Sequence, residues 1–136
     1  MGLIRTVPSH SRPVDRLESV IGADRYTKLR SAAADFRVRF AGRTIWNVNS
    51  TAAGGGVAEM LQTLHAYWLG AGIDAYWLVL RGVPDFFTLT KRIHNVLHGE
   101  PGDGGHLKKG EHRIYEQVLA DNLESMVHEI SPGDIM

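Results

Sequence analysis

The stretch Ile45-Trp46-Asn47-Val48-Asn49-Ser50-Thr51-Ala52-Ala53-Gly54-Gly55-Gly56-Val57-Ala58-Glu59-Met60-Leu61 decides how this chain is read. Its first part, up to Asn49 and with Thr44 just before it, is dense in β-branched and aromatic residues and predicts a strand. Ser50 to Gly56 ends in three consecutive glycines and predicts a loop. Beyond it Val57, Met60, Leu61, Leu64, Tyr67, Trp68 and Ala71 recur at helical spacing, and Gly70 and Gly72 supply a stop. Ala75-Tyr76-Trp77-Leu78-Val79-Leu80 then forms a continuous apolar run, the pattern of a parallel strand covered on both faces. Strand, helix and strand make one βαβ unit.

Working outward, the residues up to Pro13 carry two prolines and no periodicity, which predicts an arm rather than an element. Asp15 to Phe40 reads as a helical lead-in, with Val14, Leu17, Val20 and Ile21 in phase, a break at Gly22, and Tyr26, Leu29, Ala33 and Phe36 continuing the period. On the other side Pro84 opens a helix whose apolar face is Phe86, Leu89, Ile93, Val96 and Leu97, with Gly99 past its end. Residues 99 to 110 hold five glycines and a proline, and a mobile surface loop is expected there. A last helix from Glu111 turns Tyr115, Val118, Leu119, Leu123 and Met126 inward, and Ser131 to Met136 resembles the first step of another strand.

The expected fold class is therefore α/β: parallel strands with covering helices, a partial Rossmann-like domain preceded by the lead-in. Residues 1–42 form the arm and lead-in, and residues 43–136 an incomplete domain. Two strands are too few for a stable sheet, so the chain either pairs with something else or belongs to a longer protein.

Composition narrows the classes of function. In 136 residues there are 15 Lys plus Arg against 15 Asp plus Glu, so no net basic footprint points to nucleic acid. With 43% hydrophobic and 22% charged residues the chain can bury a core. The absence of cysteine removes disulfides, thiolate zinc sites and thiol nucleophiles together. No apolar stretch approaches the roughly 20 residues of a membrane span, and the opening residues carry no apolar signal-peptide core. A cytoplasmic protein with no membrane or nucleic-acid partner is expected.

Chemistry concentrates at the glycine loop. Gly54, Gly55 and Gly56 allow close backbone approach to a ligand, and the positive end of the following helix favours a phosphate; the plainer alternative is a tight turn. The pattern is neither G-x-G-x-x-G nor a Walker loop with its lysine. Asn47 and Asn49 stand near the carboxyl end of the first strand, where open α/β sheets bind ligands; they suit a hydroxylated ligand or, equally, capping of the loop itself. Glu59 lies in the first helical turn, where it compensates the dipole or meets sugar hydroxyls. Lys91, His94 and Asn95 form a polar stripe on the helix after the second strand, a candidate cleft wall or simply a solvated face. His94 and His98 have metal-sharing spacing, but Asn95 stands where a zinc protease needs Glu and no third ligand is indicated, so no metal is assigned. Trp46, Trp68 and Trp77 are assigned to packing, and Asn49-Ser50-Thr51 is discounted as a glycosylation site.

Three blocks together resemble a known family. The run Ile45 to Leu61, then Gly72-Ile73-Asp74-Ala75-Tyr76-Trp77, then Phe86-Phe87-Thr88-Leu89-Thr90-Lys91-Arg92-Ile93-His94-Asn95-Val96-Leu97-His98-Gly99 are similar to the amino-terminal part of trehalose synthases of the glycosyltransferring type, relatives of retaining trehalose phosphorylases. The resemblance runs from about Asp15 to the last residue. It implies a two-Rossmann-domain glycosyltransferase that moves glucose from a nucleotide-glucose donor to glucose with retention, needs no cofactor, and works in the cleft between its domains. By the same resemblance Gly54, Gly55, Gly56 and Glu59 would meet the donor's phosphate and sugar. Asn47, Asn49, Lys91, His94 and Asn95 are candidate cleft or acceptor residues, and the nucleotide would sit in a carboxy-terminal domain that this sequence lacks. Synthase and phosphorylase both remain open.

The 136-residue chain alone is accordingly expected to be inactive, and its unpaired sheet edges favour a homo-oligomer. The competing reading is a stand-alone sugar- or phosphate-binding or self-associating module without catalysis. A kinase or phosphatase is poorer, because no acidic metal cluster or phosphate-binding lysine accompanies the loop.

Overall fold

The computed structural model describes residues 4–101, 105 and 108–136. The chain folds into two compact units, one of Arg5–Val79 with Ile130–Met136, the other of Leu80–Glu129 with Ile4.

The first unit is built on a mixed sheet with strand order β1 (Arg5–Thr6), β3 (Ala75–Val79), β2 (Ile45–Asn49). β2 and β3 run parallel, in register from Ile45↔Ala75 to Asn49↔Val79, and the crossover between them is helix α3 (Gly56–Gly70). Side chains alternate across a strand, so Asn47, Asn49, Ala75, Trp77 and Val79 share one face while Trp46, Val48, Tyr76 and Leu78 take the other. The first face packs on α3 through a cluster of Ala58, Leu61, Trp77 and Val79, with Val7 and Ala52 against it. Burial of side chains such as Trp77 and Leu61 contributes about 1.5–3 kcal/mol each. On the opposite face Trp46 stacks on Tyr76 at 4.9 Å.

The α/β fold with a parallel pair and covering helices agrees with the sequence reading; the arm does not. β1 pairs antiparallel with β3, Arg5 opposite Val79 and Thr6 opposite Leu78. The Val7 N–H donates to the Trp77 carbonyl and the Arg12 N–H to the Ala66 carbonyl, both at 2.8 Å. Where the arm crosses α3, a Cβ on Gly70 would lie 1.7 Å from the Arg12 carbonyl oxygen, so that residue has to be glycine. Two residues flanked by a proline carry no period, which is why the strand was invisible in the sequence.

The lead-in is a 3-10 turn (Val14–Leu17), α1 (Glu18–Ile21) and α2 (Ala23–Arg39), broken at Gly22 as the sequence predicts. The last residues also follow the expectation. Ile135 bridges Ile45 in parallel on the free side of β2, with the Trp46 N–H donating to the Ile135 carbonyl (2.8 Å) and the Ile135 N–H to the Thr44 carbonyl (2.9 Å).

The second unit pairs α4 (Pro84–Leu97) with α5 (Lys109–Met126). Phe86 stacks on Tyr115 at 5.8 Å, and the Arg92 guanidinium reaches Glu111 at 2.6 Å. Glu111 also accepts the Lys108 N–H at 2.8 Å. Those contacts, the Lys108 N–H first and Arg92 second, hold its carboxyl below the usual range. Of the glycine-rich segment expected to be mobile, residues 102–104 and 106–107 lie outside the described residues.

The inward faces differ in detail from the periodic reading. On α3 the buried residues are Ala58, Leu61, His65 and Ala66, whereas Val57, Met60 and Leu64 are exposed. On α4 Phe86 and Leu89 are buried but Val96 and Leu97 are exposed, and on α5 Asn122 takes an inward place while Leu119 and Leu123 face outward. Tyr76, expected inside a strand covered on both faces, is 44% exposed. Apolar periodicity cannot register small or polar residues that fill the closest contact positions, and those are the ones used here.

Candidate functional site

β2 delivers the chain to the loop at its carboxyl end, and the loop ends at the first residue of α3. Gly54 has φ 76° and Gly55 has φ 87° with ψ 148°, backbone states open to glycine and strained for other residues. Gly56 is already helical and needs no such freedom. A Cβ on any of the three would meet nothing within 4 Å, so the space over the loop is open. Among the described residues no side chain caps α3, which leaves its first-turn N–H groups as available donors at the positive end of the helix. Glu59 is exposed in that same turn.

Two carbonyls of the loop are engaged internally. Gln62 Nε2 donates to the Ala52 carbonyl at 3.0 Å, and the Thr51 hydroxyl donates to the Ala53 carbonyl at 2.6 Å. Asn49 Oδ1 accepts from Trp77 Nε1 at 2.5 Å, and Asn47 Nδ2 makes a long 3.4 Å contact to the Tyr76 carbonyl. Sequence reasoning missed Gln62 and Trp77 as supports of the loop. A lone amide on the helical turn beside a glycine loop is the signal that could have marked Gln62.

Gly54, Gly55, Gly56, Asn47, Asn49 and Glu59 are thus brought together in the first unit. Lys91 and Asn95 belong to the second, where with Phe87, Thr88 and Arg92 they line an open groove of about 430 Å³ on α4. His94 does not line that groove; its ring lies 4.3 Å from that of His98. Among the described residues, no group of three or more metal-ligating side chains could hold a metal ion, and no helix is long and apolar enough to cross a membrane.

The profile of the family described as "Trehalose synthase, N-terminal domain" matches residues 47–136, from the middle of β2 through the glycine loop to the last residue. The chain belongs to this family. A trehalose synthase of Rubrobacter xylanophilus is 31% identical over 134 residues, 98% of this chain and 30% of that protein. A trehalose synthase of Pyrococcus horikoshii is 36% identical over 96 residues, 71% of this chain and 22% of its own length. A trehalose phosphorylase of Grifola frondosa is 33% identical over 79 residues, 58% of this chain and 10% of that protein. As a member of the trehalose synthase N-terminal domain family, the chain spans less than a third of each of these relatives. Family membership places it with trehalose-metabolising glycosyltransferases and agrees with the partial Rossmann-like architecture.

Proposed function

We propose that this chain is the amino-terminal part of a retaining glycosyltransferase that forms trehalose from a nucleotide-glucose donor and glucose, and that the glycine loop receives the donor's phosphate. The observation that carries this reading is the open, uncapped start of α3 directly after a parallel strand, entered through Gly54 and Gly55 at positive φ. In a retaining transfer the phosphate departs from the face that the acceptor attacks. Donors aimed at the leaving oxygens therefore stabilise the charge that grows in the transition state. On this reading Asn47, Asn49 and Glu59 border the loop, and Lys91 and Asn95, in their own groove on α4, are separate acceptor candidates.

The matched region covers under a third of each relative, so the 136-residue chain by itself binds donor phosphate without turning it over. The neutral charge and lack of cysteine fit a cytoplasmic sugar enzyme. Titration calorimetry with UDP-glucose and ADP-glucose on the chain and on Gly56→Ala tests the loop. That substitution strains no backbone and meets no neighbour, yet places a methyl group over the helix start. Weaker binding by the folded variant is expected, and unchanged affinity overturns the assignment. Trehalose produced from either donor plus glucose by this chain alone overturns the expected inactivity.

A further inference from the structure

Asn49 is the last residue of β2, and its side-chain amide is not free to choose which end it offers a ligand. Trp77 is 1% exposed and lies one step away on the same face of the sheet, since Asn47 is opposite Trp77 and Asn49 opposite Val79. An indole N–H donates and cannot accept. The hydrogen bond from Trp77 Nε1 therefore requires Asn49 to turn its oxygen inward, and the amide NH2 faces the other way. Among the described residues Nδ2 of Asn49 has no protein partner. The loop that follows has its Ala52 and Ala53 carbonyls occupied by Gln62 and Thr51. The Asn49 NH2 and the uncapped first-turn N–H groups of α3 are thus donors on offer at this end of β2, beside the exposed Glu59 carboxylate.

We propose that Trp77 is a positioning residue that locks the Asn49 amide with its NH2 toward the ligand of the glycine loop, so that this end of the site recognises a group made of acceptors, a phosphate or diphosphate, and not a donor hydroxyl. The proposal rests on the donor-phosphate reading of the loop. It adds a specificity determinant to that reading: with Trp77 in place Asn49 cannot flip to accept from a sugar hydroxyl.

The test uses inorganic pyrophosphate as probe, at fixed ionic strength, with affinity from calorimetry and the Asn49 side-chain NH2 followed by 1H–15N NMR. Pyrophosphate is expected to bind the chain and shift that NH2 resonance. Asn49→Leu is expected to weaken binding roughly tenfold, the loss of one hydrogen bond to a charged group. Trp77→Phe, which keeps an aromatic ring and removes the donor, is expected to weaken binding to a similar extent. In the Asn49→Leu background Trp77→Phe should have no further effect, because the lost donor acts only through Asn49. An additive loss in the double variant would mean a merely structural role and overturns the proposal. So does a wild-type NH2 resonance that stays put on binding, which decides the matter even if Trp77→Phe fails to fold. The two readings fail separately: unchanged affinity in Gly56→Ala, or no pyrophosphate binding at all, removes the loop reading and the proposal with it. Weakened affinity in Gly56→Ala with none in Asn49→Leu removes the proposal alone.

Discussion

The indole of Trp46 is tied to the carboxylate of Asp134: Nε1 donates to Oδ2 at 2.9 Å across 88 residues of chain. The same carboxylate accepts the Thr44 N–H at 3.0 Å and the Ser131 N–H at 2.9 Å, so one side chain gathers the start of β2 and the terminal segment. A carboxylate with three donors favours its charged form, and the Thr44 N–H, then the Trp46 indole, then the Ser131 N–H hold Asp134 below its usual range.

The stabilisation from Asp134 is expected in full above the ordinary carboxylate value of about 4 and lost as pH falls below it toward the folded-state value, because there the unfolded chain binds the proton first. Asp134→Asn, whose NH2 cannot accept a donor, should lower the urea midpoint at pH 6 and flatten its fall between pH 5 and 3. An unchanged acid limb in the variant would contradict this role.

Asn122 is expected to be essential to the second unit. It is 1% exposed; its Oδ1 accepts the Arg81 N–H at 2.9 Å, and its Nδ2 donates to the carbonyls of Arg81 at 2.7 Å and Val118 at 2.6 Å. The amide pairs with both backbone groups of Arg81 as a neighbouring strand would. Asn122→Leu strands those groups and should cost about 3 kcal/mol in chemical denaturation. A loss below about 1 kcal/mol would show that water takes over the pairing.

His65 is a liability at low pH. It is 2% exposed, and among the described residues neither ring nitrogen has a hydrogen-bond partner. Burial disfavours its cation and lowers its pKa from the ordinary value; the nearby backbone of Ala75 and Tyr76 opposes this weakly, without closing a hydrogen bond. The unfolded chain takes up a proton near pH 6.5 while the folded chain does not. Stability should therefore decline as pH drops through that value toward the lowered folded one, and be free of this effect above about pH 7.5. His65→Leu, of similar volume, is expected to gain about 1–3 kcal/mol with the larger gain at pH 5.5. Parallel pH profiles of the two proteins would refute it.

Self-association is expected through the second unit. Leu123 and Val127, one helical turn apart, are 59% and 61% exposed, and Leu97 is 81% exposed. Light scattering should give a mass above the 15.0 kDa of one chain, and Leu123→Glu with Val127→Lys should restore that mass. A wild-type monomer at millimolar concentration would speak against this surface.

The βαβ core was legible because β2, the glycine loop, α3 and β3 each announce themselves by a change of period, and the resemblance of three sequence blocks added the family. β1 was not legible, since Arg5 and Thr6 are defined only by their partners Val79 and Leu78. The rotation of α3 was hidden because Ala58 and His65, which carry its burial, do not stand out in an apolar pattern. At the loop, the glycines were visible from composition. The orientation of Asn49 was not, because it depends on an indole 28 residues later in the chain.

The pairing of Arg5 with Val79 also sets a clock. More than seventy residues must be synthesised after β1 before its partner exists, about 4–15 s at ribosomal rates of 5–20 residues per second. Through that interval Ile4 to Val7 travels as an unpaired segment, while α2 can already wind locally within microseconds. Closure of the sheet is therefore a late, long-range event, and a substitution that slows β3 should lengthen the exposure of the arm to chaperones and proteases before it alters the finished fold.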